Sequence, residues 1–125
     1  MSIERWRSGG AGRSRTVAYG GVIWTVANAS ANTAGFEAQV RETLQLLDTH
    51  LAEAGSARTH LLSLQVIFSD IADRTVFEPL WQAWIGPDPA HWPQRACYAA
   101  ALAPGLLLEL VVVAAPVSAA LQAHA

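Results

Sequence analysis

Two charged residues near the C-terminal end of the chain are the first candidates for chemistry. Glu109 is the only charged residue in the apolar run of residues 106–115, and Arg95 is the only cation between Arg74 and the C-terminus. A carboxylate that leaves water without a partner loses much solvation free energy, so Glu109 should be paired, hydrogen-bonded or protonated. Arg95 is its natural partner, because it lies on the strand predicted just before that of Glu109.

Two interpretations of this pair stay open at the level of sequence. The pair could be a structural ion pair that joins two strands or two subunits, and composition alone favours this reading. Alternatively, Arg95 presents its planar guanidinium to a carboxylate ligand while Glu109 positions or activates a water molecule. The spacing of the two residues does not separate these interpretations.

Other residues with reactive side chains have simpler explanations. Cys97 lies two residues after Arg95, but no histidine is near it in sequence, and it is interpreted as a small apolar filler. Thr75 and Glu78 match a capping box at the start of a helix. The histidines lack the HxH and HExxH spacings, so no metal site is expected.

The pattern of apolar residues predicts the elements that must position these side chains. Residues 3–7, 16–19 and 22–27 form a hairpin with an added edge strand. Apolar residues at spacings of three and four predict a helix over residues 34–54 that ends at Gly55. This stripe consists of Phe36, Val40, Leu44, Leu47 and Leu51.

The second half of the chain also combines strands with one helix. A strand over residues 61–68 precedes a second helix, which ends at Gly86, and two strands over residues 95–102 and 106–115 follow. The predicted fold class is α+β, a single mixed β-sheet with two helices packed on one face. Because the last strand is apolar on both faces, we expect self-association to cover the open side.

Length and composition limit the remaining possibilities. The 125 residues predict one domain over residues 1–115 and a flexible C-terminal tail over residues 116–125. The hydrophobic content of 52% excludes a disordered chain, and the absence of lysine excludes Schiff-base and pyridoxal-phosphate chemistry. The net charge of -2, with no run of like charge, argues against a nucleic-acid partner.

The N-terminal arginines and the single cysteine indicate a solvent-facing edge strand and a reducing compartment. The arginines at positions 5, 7, 13 and 15 are interpreted as solvent-facing positions of that strand. A single cysteine and no apolar signal segment predict a cytoplasmic protein. Residues 106–115 are too few to cross a bilayer and include Glu109, so no membrane association is expected.

Three segments carry a resemblance to a known family. They are GFEAQVRETLQLLDTHLAEAGS (residues 35–56), LLSLQVIFSDIADRTVFEPLWQAW (residues 61–84), and the P-x-R-x-C motif at residues 93–97 followed by LEL at residues 108–110. Over residues 14–115 the chain resembles the Rid family, also called the YjgF family, which includes enamine/imine deaminases. The resemblance implies a chorismate-mutase-like fold and a homotrimer with pockets at the subunit interfaces.

The resemblance also implies roles for individual residues. Arg95 would bind the carboxylate of a small 2-imino acid, Glu109 would orient the hydrolytic water, and Cys97 would line the same pocket. The products would be a 2-oxo acid and ammonia, with no metal or organic cofactor.

The chain also departs from the family pattern. Residues 25–27 read Thr-Val-Ala where the family typically has Ser-Gly-Gln, so Thr25 keeps a hydroxyl and Val26 replaces a glycine. Glu78 stands where the deaminases carry an asparagine. No residue clearly matches the family's N-terminal pocket tyrosine, for which Tyr19 is a candidate. These departures motivate the alternative of a non-catalytic trimer that binds a small carboxylate metabolite, whereas the missing basic patch disfavours a nuclease or translation inhibitor.

Overall fold

The computed structural model describes residues 1–117, so most of the predicted C-terminal tail, residues 118–125, lies outside the described part of the chain. The helices and strands, in chain order, are β1 (Glu4–Arg7), β2 (Ser14–Tyr19), β3 (Val22–Ala27), α1 (Phe36–Glu53), β4 (Leu61–Phe68), α2 (Arg74–Ile85), β5 (Gln94–Ala99) and β6 (Leu108–Ala114). The strands form one six-stranded sheet in the order β1-β2-β3-β6-β4-β5. Only β4 and β5 are parallel, so the predicted mixed α+β sheet is confirmed.

Both helices pack on the same face of the sheet, as predicted. The apolar stripe of α1 is buried against β3 and β6, and α2 adds Phe77, Trp81 and Ile85 to the same core. The sheet contributes alternate residues of its central strands, including Leu64 and Val66 of β4. The period of two along the strands and of 3.6 along the helices is therefore satisfied by one continuous core.

The opposite face of the sheet, which we call the open face, carries no helix within the described residues. Strand β6 alternates between buried residues on the helix face and partly exposed residues on the open face, where Glu109 lies. Trp24 and Tyr98 lie on the open face and are 44% and 41% exposed. The open face of the described chain therefore combines aromatic rings with the Glu109 carboxylate.

A buried glutamine fixes the connection that leads into β6. Gln39 of α1 is 1% exposed, and its Nε2 donates to the carbonyl of Gly105 at 2.8 Å, while its Oε1 accepts from the backbone N–H of Leu107 at 2.9 Å. Gly105 has a φ of 85°, and a Cβ at this position would lie 2.8 Å from the carbonyl oxygen of Ala31. Only glycine combines this positive φ with so close an approach of the Ala31 carbonyl without strain. Together with the Gln39 hydrogen bonds, this turn sets the start of β6 and thus the position of Glu109.

Strand β5 is shorter than predicted, since it ends at Ala99 rather than continuing to residue 102. None of the helices within residues 1–117 combines the length and apolar character needed to cross a bilayer.

Candidate functional site

Arg95 lines a cleft between helix α2 and the edge strand β5. The cleft has a volume of about 670 Å³, and Trp81, Trp92 and Pro93 are among the apolar residues that form its walls. Of the described residues that line it, only Glu78 and Arg95 are charged. A mostly apolar cleft with a few polar groups at its wall is the usual form of a small-molecule site.

The guanidinium of Arg95 is held by aromatic rings and by one carboxylate. Its Cζ lies 5.7 Å from the ring centroids of both Phe77 and Trp81, and its Nη2 donates to Oε1 of Glu78. The side chains of Arg95 and Glu78 are 18% and 28% exposed, so the pair is partly withdrawn from water. Cation–π contacts and the ion pair together restrict the orientation of the guanidinium plane.

The capping-box prediction for Glu78 is wrong. Helix α2 begins at Arg74, with Asp73 at the N-cap and no side-chain capping bond, so Glu78 lies one turn inside the helix. Its carboxylate instead bonds to Arg95 and also accepts from Nε of Arg74 at 3.4 Å. The tertiary contact with β5 is possible because residue 78 faces the sheet edge, which a local motif cannot reveal.

The predicted pairing of Arg95 with Glu109 within one chain is also wrong. Strand β4 lies between β5 and β6, and the register aligns Arg95 with Leu64 and Leu64 with Val112. Arg95 therefore lies on the same sheet face as Val112, the face that the helices cover. Glu109 is three residues before Val112 on β6, and because side chains alternate between faces, it lies on the open face.

Glu109 has a different partner on that face. Its Oε1 accepts from Nδ2 of Asn28 at 3.0 Å. Asn28 follows directly on β3, the strand next to β6, and no sequence motif indicated it. The requirement that the carboxylate be hydrogen-bonded is thus met by a neutral amide rather than by an arginine.

Thr25 does not approach Arg95 within the chain. It is 2% exposed under α1, and its Oγ1 lies 2.7 Å from Oγ1 of Thr16 and 3.3 Å from Nδ1 of His50. Three strand spacings, about 14 Å, separate its strand from β5.

Tyr19 and Cys97 also lie outside the cleft. Tyr19 is 47% exposed at the tip of the β2–β3 hairpin, four strands away from β5. Cys97 packs against the hydrophobic core on the same sheet face as Arg95, in agreement with its interpretation as a filler, but it does not line the cleft. Of the predicted site residues, only Arg95 and Glu78 contact each other in one chain.

Two tryptophans line the cleft beside Arg95. Trp81 packs in the core, as its helical spacing predicts, but its ring also faces Arg95. Trp92 is 54% exposed and lines the cleft; it lies outside the predicted helices and strands, which left a pocket-lining position open for it.

Below α1, a polar cluster surrounds His50. Burial, reinforced by the nearby cation of Arg15, lowers the pKa of His50 from its ordinary value of 6.5. Arg15 is itself paired with Glu53 of α1, and it lies on β2 rather than on the edge strand, so its predicted solvent-facing position on that strand is wrong. Since the neutral imidazole is favoured, this cluster is suited to a structural role at neutral pH.

Within residues 1–117, no group of three or more histidine, cysteine, aspartate or glutamate side chains is arranged to hold a metal ion.

Comparison with known proteins places the chain among relatives of the same fold. A RutC family protein of Haemophilus influenzae is 34% identical over 77 residues, which span 61% of this chain and 65% of that protein. A YjgF family member from Neisseria meningitidis superposes with a TM-score of 0.84 at 27% identity, covering 93% of this chain and 96% of that one. A protein from Pseudomonas aeruginosa gives a TM-score of 0.81 at 27% identity, covering 92% and 99%.

The family model described as Endoribonuclease L-PSP matches residues 2–116, almost the whole chain. The resemblance inferred from the sequence is confirmed, and the chain belongs to the Endoribonuclease L-PSP family, the YjgF/Rid family.

Proposed function

We propose that this chain forms a homotrimer that hydrolyses small 2-imino acids to 2-oxo acids and ammonia. The observation that carries the proposal is the position of Arg95, whose guanidinium lies beside the Trp81 ring at the wall of an apolar cleft. Only its Nη2 is engaged by protein, so among residues 1–117 the N–H groups of Nε and Nη1 have no acceptor. The unoccupied N–H groups of the guanidinium can donate charge-assisted hydrogen bonds to a substrate carboxylate.

In this proposal Glu109 reaches the substrate from a neighbouring copy. Arg95 and Glu109 lie on opposite faces of one sheet, so a single chain cannot direct both at one small molecule. Arg95 lies on the edge strand β5, and the open face around Glu109 carries Trp24 and Tyr98, which favour burial. Contact between the β5 edge of one copy and the open face of the next would bring both groups to one cleft.

The chemistry requires only positioning and one proton transfer. The water oxygen attacks the imine carbon, and the Glu109 carboxylate accepts the proton that this water molecule loses. Proton transfer to nitrogen and cleavage of the C–N bond then release ammonia and leave the 2-oxo acid, so that imine plus water gives ketone plus ammonia. Arg95 stays charged throughout and keeps the electrophilic carbon in place.

The test is the hydrolysis of an imino acid generated in situ by an amino-acid oxidase, followed as the rate of 2-oxo acid formation. The wild-type protein should accelerate it, and Glu109→Gln should lower kcat by roughly 10² or more, the usual contribution of a general base. Arg95→Ala should abolish turnover. Arg41→Gln, which removes a 64% exposed arginine of α1, serves as the matched control. A wild-type protein without acceleration would refute the proposal.

A second candidate is carboxylate binding without turnover. It is favoured by Glu78, which already neutralises Arg95, and by Val26, which lies on the open face two residues before Asn28. Saturable binding of a 2-oxo acid in calorimetry, together with no acceleration of imine hydrolysis, would support this candidate over the enzyme.

The ribonuclease activity named in the family description finds less support at this cleft. Its walls are mostly apolar, and its one cation is paired with Glu78. An RNA backbone needs several unpaired cations along a groove.

A further inference from the structure

A second cleft lies at the other edge of the sheet, far from Arg95. It is formed by β1, the start of β2 and the loop of residues 8–13 between them, and its volume is about 850 Å³. Strands β1 and β5 are the two edges of the sheet, so four strands separate this cleft from the edge that carries Arg95. We call it the arginine cleft, after Arg5, Arg7 and Arg13, which line it.

The three guanidinium groups of the arginine cleft have no anionic partner in the described chain. None of them forms a salt bridge or donates a side-chain hydrogen bond within residues 1–117, whereas Arg15, two residues further on, is paired with Glu53. Three like charges at one cleft repel one another, and a bound anion would relieve this repulsion.

The loop is built so that Arg13 folds back over it. The Arg13 guanidinium packs directly on Gly10, where a Cβ would overlap Cζ and both Nη atoms. Ser8 closes the loop, since its Oγ accepts from the N–H of Gly10 at 3.1 Å and donates to the carbonyl of Arg13 at 3.1 Å. The linear sequence contains no basic run, but this loop brings Arg13 to the arginines of β1.

We propose that the arginine cleft binds a small ligand with two or more linked phosphate groups. A monocarboxylate would neutralise one guanidinium and leave the others uncompensated, whereas linked phosphates present enough anionic oxygens for all three arginines. An RNA strand fits less well, because the cations form one compact group rather than a track along the surface. The proposal does not rest on the imine chemistry at Arg95.

The test is calorimetric titration of the full chain with inorganic pyrophosphate at low ionic strength. Wild-type protein should show saturable binding of one ligand per chain. Arg7→Gln and Arg13→Gln should each weaken the Kd about tenfold, the equivalent of one charge-assisted hydrogen bond. Arg41→Gln, an exposed arginine of α1 paired with Glu37, should leave the Kd unchanged.

Gly10→Ala offers a test that removes no charge. Gly10 does not have a positive φ, so alanine fits the backbone there, but the added methyl displaces the Arg13 guanidinium. We expect this variant to keep its thermal stability and to bind pyrophosphate several-fold more weakly.

Three results would overturn the proposal. They are the absence of saturable pyrophosphate binding, an equal loss of affinity in Arg41→Gln, and binding of a single-stranded RNA oligonucleotide without binding of pyrophosphate. Arg95→Ala, which should abolish imine hydrolysis, should bind pyrophosphate like wild type, so failure of one proposal can be told from failure of the other.

Discussion

Replacement of Glu78 by glutamine should strengthen the binding of carboxylates at Arg95. In the chain, the Glu78 carboxylate occupies Nη2 of Arg95 and thus competes with a ligand for the same cation. Exposed ion pairs contribute about 0.2–1 kcal/mol, and hydrogen bonds to charged groups in drier sites about 1.5–3 kcal/mol. Because the two side chains are 18% and 28% exposed, we take a value of about 1.5 kcal/mol, the lower end of the second range, which corresponds to about tenfold in Kd.

The assay is titration with pyruvate, followed through the fluorescence of the tryptophans that line the cleft, Trp81 and Trp92. Glutamine keeps the size of the side chain and an oxygen that accepts from Arg95, so the geometry of the cleft should be preserved. Glu37→Gln is the matched control, since it removes an exposed carboxylate from an i,i+4 pair with Arg41 on α1. If a folded Glu78→Gln protein bound pyruvate no better than wild type, Glu78 would be orienting Arg95 and not competing for it.

Three further predictions concern stability and assembly. Because the folded state lowers the pKa of His50, stability should hold above about pH 6.5 and fall as the pH drops below it, when the unfolded chain takes up the proton more readily. Urea denaturation at several pH values should show this loss of unfolding free energy in wild type and a smaller loss in His50→Gln. If the unfolding free energy fell equally steeply with pH in both proteins, the prediction would be contradicted. Leu47→Ala, at a fully buried position of α1, should lower the free energy of unfolding by about 3 kcal/mol, measured at pH 7.5 against the exposed control Leu62→Ala. In size-exclusion chromatography with light scattering, the wild type should run as the proposed trimer and Trp24→Arg, on the open face, as a monomer; a monomeric wild type would contradict the proposed assembly.

Much of the fold could be predicted because the signals for it are local. The stripe from Phe36 to Leu51 has the period of a helix and packs in the core as expected, and the β2–β3 hairpin turns between the two predicted strands, at Gly20 and Gly21. The exposure of Arg5 and Arg7 on an edge strand also follows from their spacing. Such patterns depend only on neighbours along the chain, which is why they are readable without the tertiary structure.

The candidate site could be predicted only in part. The sequence indicates Arg95 as a residue that binds carboxylates, but its real partner, Glu78, looks like a helix cap because the Thr75-x-x-Glu78 spacing fits one. The Gln39 side chain that holds the turn before β6 looks like one polar position in a helix. Contacts between residues far apart along the chain produce no periodic pattern in the sequence, so they cannot be predicted from it.

By itself, the sequence determined the elements, the apolar stripe of each helix, the alternation within each strand and the family to which the chain belongs. Only the tertiary structure decided which strands are neighbours and in what register they pair. Strand β4 inserts between β5 and β6, and this single fact places Arg95 and Glu109 on opposite faces of the sheet. The physical reason is that alternation decides which residues of one strand share a face. Which residues of different strands share a face depends on the hydrogen-bond register, and long-range packing selects that register.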